Sequence, residues 1–147
     1  MTGLVHAHSG LRYLILAGFL WVIFNFIGKR NEAFDGGIKK AFLITMIFLH
    51  VQLIIGLVLY FKSAKSAMIF EDFGMAMGNS LTRFYGMEHM VGMLIGIALA
   101  TVGYSKAKRM SDGVLAHAKA FKLYAIAFVI IFVSIPWPFL REFGTWF

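Results

Sequence analysis

The 147-residue chain contains no cysteine. That absence removes disulfides, thiolate nucleophiles, zinc fingers and cysteine-ligated iron–sulfur clusters. Charge is also scarce: 14% of residues are charged, against about 25% in an ordinary soluble domain. Acidic side chains number only seven, proline occurs only at Pro136 and Pro138, and no Gly-rich phosphate loop or Ser–His–Asp order can be found. What the chain has instead is apolar surface, 60% of its residues, including 16 Phe, 5 Tyr and 3 Trp. A small solvated enzyme could not hide that surface, and a disordered chain could not keep it dispersed. The class that remains is an integral membrane protein. The formal charge of +7 then reads as basic loops on the cytoplasmic side of a membrane, not as affinity for nucleic acid.

Four apolar segments, over 13–28, 41–61, 84–104 and 123–140, are each near the ~20 residues a spanning helix needs. The first extends back through 4–12, which holds no proline. The segment 1–11 lacks the basic start of a signal peptide. The pattern predicts an all-α membrane four-helix bundle, up-down-up-down, forming one domain over 1–147. The link over 62–83 mixes Met68, Ile69, Phe70, Phe73, Met75 and Met77 with Glu71 and Asp72. It predicts an interfacial helix or lid, with 68–77 along the membrane surface. Trp137, Phe139, Phe143, Trp146 and Phe147 are expected as interface anchors. Of the 14 basic residues, nine fall on the side of the first and third links and five on the other. That bias places both termini outside, periplasmic in a bacterial inner membrane.

Ionisable groups within spans are costly and mark candidate sites. At ~1.5 Å rise per residue, His8 and His89 lie roughly 13 Å and 9 Å outward of their span centres. They sit on the first and third helices, which are diagonal in a cyclic bundle. That arrangement suits a porphyrin held edge-in between two imidazoles. Gly86, Gly92 and Gly96 share the His89 face, and Arg12 shares that of His8. Arg12, Arg83 and Arg141 are candidate partners for haem propionates. Glu88, Tyr13, Tyr85 and Trp137 are candidate hydrogen-bonding groups around them. His50, near the midplane, is a third candidate. Blander readings stand beside each of these: Gly92-x-x-x-Gly96 as close helix packing, the arginines as lipid-phosphate contacts, His50 as a donor to a helix carbonyl, and His6 and His117 as interfacial. Copper is the alternative metal, because Met68, Met75, Met77, Met87, Met90 and Met93 flank His89 and thioethers suit Cu(I).

His8-Ser9-Gly10-Leu11-Arg12-Tyr13, Arg83-Phe84-x-x-x-Glu88-His89 and Ile135-Pro136-Trp137-Pro138-Phe139 resemble a small bacterial four-helix membrane family described as cytochrome b-like. The layout is also similar to four-helix protoporphyrinogen oxidases and copper-resistance D-type domains. The cytochrome b-like resemblance implies haem b, membrane electron transfer and ligation by His8 and His89. The expectation is therefore a b-type haem protein exchanging electrons, with quinol or a respiratory-complex subunit as candidate partners and a homo-oligomer as a further one. A non-catalytic accessory subunit and a copper- or haem-handling protein are the alternatives. No group for bond-breaking catalysis stands out.

Overall fold

The computed structural model describes residues 2–146, and their regular structure is entirely helical, with no strand among the described residues. Phe147, expected as an anchor, lies outside the described residues. In chain order the elements are α1 (Thr2–Lys29), α2 (Gly36–Lys62), three short helices α3 (Ala64–Glu71), α4 (Phe73–Gly78) and α5 (Ser80–Arg83), a π-helical turn (Phe84–Glu88), α6 (His89–Ala107) and α7 (Gly113–Ser134). The helix from α5 through the π turn to α6 is continuous. Four segments, Thr2–Lys29, Gly36–Lys62, Ser80–Ala107 and Gly113–Ser134, are long and apolar enough to cross a membrane.

Three of these follow the apolar runs. The fourth apolar run, 123–140, is extended at its start, as the helical character of 116–122 suggests, and is cut short at its end. Asp112 caps its start, its side chain accepting from Leu115 N at 2.9 Å, so Lys119 and Lys122 ride on the exposed side of the helix and do not belong to a loop. Its end is set by proline. Ile135, ahead of Pro136, is extended at φ −76° and ψ 137°, the conformation that a following pyrrolidine ring imposes. Four residues beyond Phe132 and Ser134 stand Pro136 and Pro138, neither with an N–H to give. Phe132 O, which still accepts from Ile135 N at 3.3 Å, and Ser134 O thereby lose their regular helical donors. Trp137 Nε1 donates to Phe132 O at 2.9 Å. Ser134 O is taken up by a histidine of α6.

α2 packs against α1 and α6, and α7 packs against α6 and α1, so α1 faces α6 and α2 faces α7 across the centre. The α6–α7 seam is built of small residues: Ala100, Ala120 and Ala127 are fully buried, and a side chain at Gly96 would run into Ile131. This allows two backbones to approach without a hydrophobic driving force from the surrounding lipid. Ile15, Phe19, Phe42, Leu49 and Ile131 fill the centre. Ile27, Ile54, Phe24 and Val129 point outward, more than half exposed, the pattern expected of helices long and apolar enough to cross a membrane. Tyr124 Oη donates to Phe42 O at 2.8 Å, tying α7 to α2 through the core.

The link over 62–83 is not one interfacial helix. It breaks wherever a side chain offers a cap: Ser63 before α3, Asp72 before α4 and Asn79 before α5 each accept from backbone N–H groups of the next helix. The expected 68–77 stretch is therefore split at Asp72. Ser66 and Ala76 are buried, while Phe70, Phe73 and Met75 are exposed.

Candidate functional site

A cavity of about 390 Å³ lies among α1, α2, α6 and α7, roofed by α3 and the segment after α7. That size is ordinary for a small-molecule site, for which about 300–1,000 Å³ is usual. His8 and His89 both line it, with ring centroids 6.2 Å apart and planes at 72°. The matched depth expected of them is thus realised across the diagonal.

Each imidazole is positioned by a different element. His89 begins α6 straight after the π turn, a local widening of the helix that shifts the phase of the residues beyond it. Its Nδ1 lies 2.7 Å from Ser134 O, the carbonyl that Pro138 leaves free. A carbonyl can only accept, so Nδ1 carries the proton and Nε2 of the neutral ring keeps its lone pair. On the other side, Gln52 Nε2 donates to His8 O at 2.8 Å, fixing that turn of α1 against α2. A side chain at Gly56 would come within 3.1 Å of the His8 ring, so glycine there lets α2 close around the ring without crowding it.

Arg12 lines the same cavity and is 7% exposed. Its Nη2 donates to Tyr13 Oη at 3.2 Å, to Thr145 O at 3.1 Å and to Trp146 O. Its guanidinium also lies 5.2 Å from the Trp137 ring centre. The segment after α7 is thereby strapped back over α1. Among the described residues, four buried side-chain atoms have no hydrogen-bond partner: His8 Nδ1, Arg12 Nε, Gln52 Oε1 and His117 Nε2. Three of the four belong to cavity residues. Buried polar groups are rarely left unpaired without a functional reason.

Other candidates lie elsewhere. Arg83 Nε is 2.8 Å from Glu88 Oε1, and Arg141 Nη2 is 3.4 Å from Glu88 Oε2. Both arginines expected at propionates are instead held by one carboxylate, and neither lines the cavity. Gly92 and Gly96 do not open the cavity to a macrocycle. A side chain at Gly92 would strike Ser134, and one at Gly96 would strike Ile131, so both serve the α6–α7 seam. His50 places Nδ1 2.8 Å from Met46 O of its own helix and does not line the cavity. His117, expected at the interface, is fully buried at the far end, with Nδ1 3.2 Å from Glu32 O and the Phe26 ring edge-on at 5.2 Å.

The sequence did not single out Gln52 as a support for His8, nor Gly56, Tyr60 and Lys65, all of which line the cavity. The signal for Gly56 was available in principle, since it lies at the outer end of α2, where His8 lies on α1. Met90 and Met93, noted for copper, are on the cavity wall. Among the described residues no three of the side chains His, Cys, Asp and Glu converge, so the donor set here is two imidazoles with thioethers nearby. Compared with protein-family models, with curated proteins and with solved structures, the chain matches none.

Proposed function

We propose that this chain is a membrane b-type haem protein that takes part in electron transfer, with His8 and His89 as the axial pair. The observation that carries the reading is the 6.2 Å separation of the two ring centres across one cavity. Two imidazoles this close across one cavity could both reach a single metal ion, whose bonds to imidazole nitrogen would be about 2.0–2.1 Å, taking zinc as the guide. Bound there, haem supplies one-electron chemistry at its iron. The chain supplies the rest. Ser134 orients His89 and fixes its tautomer, Gln52 holds the turn carrying His8, and Arg12 draws the segment after α7 over the site. Water is kept away from the rings by the aliphatic walls, Leu49, Leu53, Ile97 and Ile131 among them.

The proposed setting is a bacterial inner membrane, with the four spans in up-down-up-down order and both termini periplasmic. The pairings of His8 with Gln52 and Gly56, and of Gly18 with Thr45, support opposite directions for α1 and α2. The nine-to-five split of basic residues supports the orientation. Quinol is the proposed electron partner. A second reading, copper in place of haem, is favoured by Met90 and Met93 on the cavity wall.

The test is the absorbance of purified protein. A Soret band that shifts on dithionite reduction, with a positive pyridine haemochrome, is expected. His8→Ala and His89→Ala should each remove the low-spin form, because an axial position opens. A colourless protein that binds Cu(I) moves the reading to copper. One that binds neither leaves an accessory subunit of a membrane complex.

A further inference from the structure

The cavity is one-signed. Its charged lining consists of Arg12 from α1 and Lys65 from α3, and no aspartate or glutamate reaches it. Neither cation has a carboxylate partner among the described residues, where the ion pairs are those of Lys29, Arg83 and Arg141. Arg12 is more than nine-tenths buried and its Nε is unpartnered. A buried cation without a counter-charge is strongly disfavoured unless something negative comes to it. Carbonyl oxygens of the strap and the Trp137 ring solvate one side of the guanidinium but bring no net charge. Lys65 rests its ammonium 4.5 Å from the centre of the Tyr85 ring, on the cavity wall, a contact it can exchange for a stronger one.

From this we infer that the cavity selects an apolar ligand bearing carboxylate groups, with Arg12 and Lys65 as the acid-binding points, and that Lys65 couples ligand occupancy to the lid. The inference rests on the porphyrin reading of the cavity for the size and shape of the ligand. It moves the acid-binding role from Arg83 and Arg141, which Glu88 already holds, to a lysine on the lid. A carboxylate drawn to Lys65 would pin α3 over the cavity mouth, because Lys65 lies in the first turn of that helix, directly after the Ser63 cap.

The experiment uses the full chain in nanodiscs of zwitterionic lipid and two probes, protoporphyrin and its dimethyl ester, followed by porphyrin fluorescence. Neither contains iron, so axial ligation plays no part. The free acid is expected to bind about a hundredfold more tightly than the ester, about tenfold for each of the two charge-assisted contacts. Lys65→Gln should cut that preference to about tenfold while leaving the ester's affinity unchanged, and Lys65→Arg should keep it. Equal affinity for acid and ester, or a Lys65→Gln loss shared equally by both, overturns the inference. Parallel haem titrations separate the two ideas. A retained acid preference without an imidazole-ligated haem spectrum sinks the haem reading alone. A normal haem spectrum with no acid preference sinks the inference alone. Failure of both porphyrins to bind overturns the inference, and the haem titration then decides the haem reading by itself.

Discussion

His89 Nδ1 lies 2.7 Å from the carbonyl of Ser134, 45 residues further along the chain. Within a regular helix that carbonyl would accept from the residue four positions on, which is Pro138 and has no N–H. The proline and the histidine thus form one device. The first frees an acceptor, and the second uses it to hold a ring in a fixed tautomer at the cavity. This device carries its own prediction. Gly92→Ala would push Ser134 aside, since the new methyl meets its side chain. The expected outcome is a loss of about 1–3 kcal/mol in unfolding free energy, typical of overpacking, together with a change in the spectrum of bound haem. Gly10→Ala, within α1 and with nothing within 4 Å, should leave the spectrum unchanged and should not lower stability. An unaltered spectrum in a destabilised Gly92→Ala protein would disconnect the seam from the site.

Arg83→Gln tests where the arginines act. Arg83 belongs to Glu88 in this fold, in an ion pair well exposed on both sides, at 42% and 36%. Exposed pairs contribute about 0–1 kcal/mol. Melting temperature should fall slightly and haem affinity not at all. A clear drop in haem affinity would return Arg83 to the propionates.

His50→Ala and His117→Ala are expected to leave the haem spectrum intact. The first points Nδ1 at a carbonyl of its own helix and the second packs among aromatic rings at the far end. Loss of low-spin haem in His50→Ala would displace His8 as a ligand.

Tyr124→Phe removes the one hydroxyl that joins α7 to Phe42 O of α2 across the centre. Hydrogen bonds between membrane helices average about 0.6 kcal/mol and reach about 1.7. A fall in stability of that order, measured by reversible denaturation in detergent, is expected, with the spectrum unchanged because the tyrosine does not line the cavity.

Reporter fusions at Gly36 and Asp112 should read cytoplasmic, and one at the C-terminus should read external. A cytoplasmic C-terminus would put the cavity on the wrong side for a periplasmic site.

The apolar runs and the depth of His8 and His89 were legible because both depend on rise per residue alone. The offsets also placed Gly92 on the face of His89, and in the fold that face does meet a neighbour. Period says which residues share a face but not which helix the face meets, and here it meets Ser134 of α7 as well as the cavity. Hydropathy carried the fourth span too far, through Trp137 and Phe139, because it weighs side chains and ignores the missing N–H groups of Pro136 and Pro138. The partner of Arg83 and Arg141 was hidden for a related reason. Arg83 is five residues before Glu88 and Arg141 is 53 after it, and only the fold brings the second one back.

Arg12 enters the membrane with the first helix, yet Thr145 and Trp146, which receive its guanidinium, are 133 and 134 positions later in the chain. At about 5–20 residues per second, a ribosome takes roughly 7–27 s to cover that distance. Throughout that interval the guanidinium lacks the two strap carbonyls that later accept from it. The cavity wall that Arg12 and Thr145 share therefore joins two segments made far apart in time, and it closes only after α7 and the strap have been made.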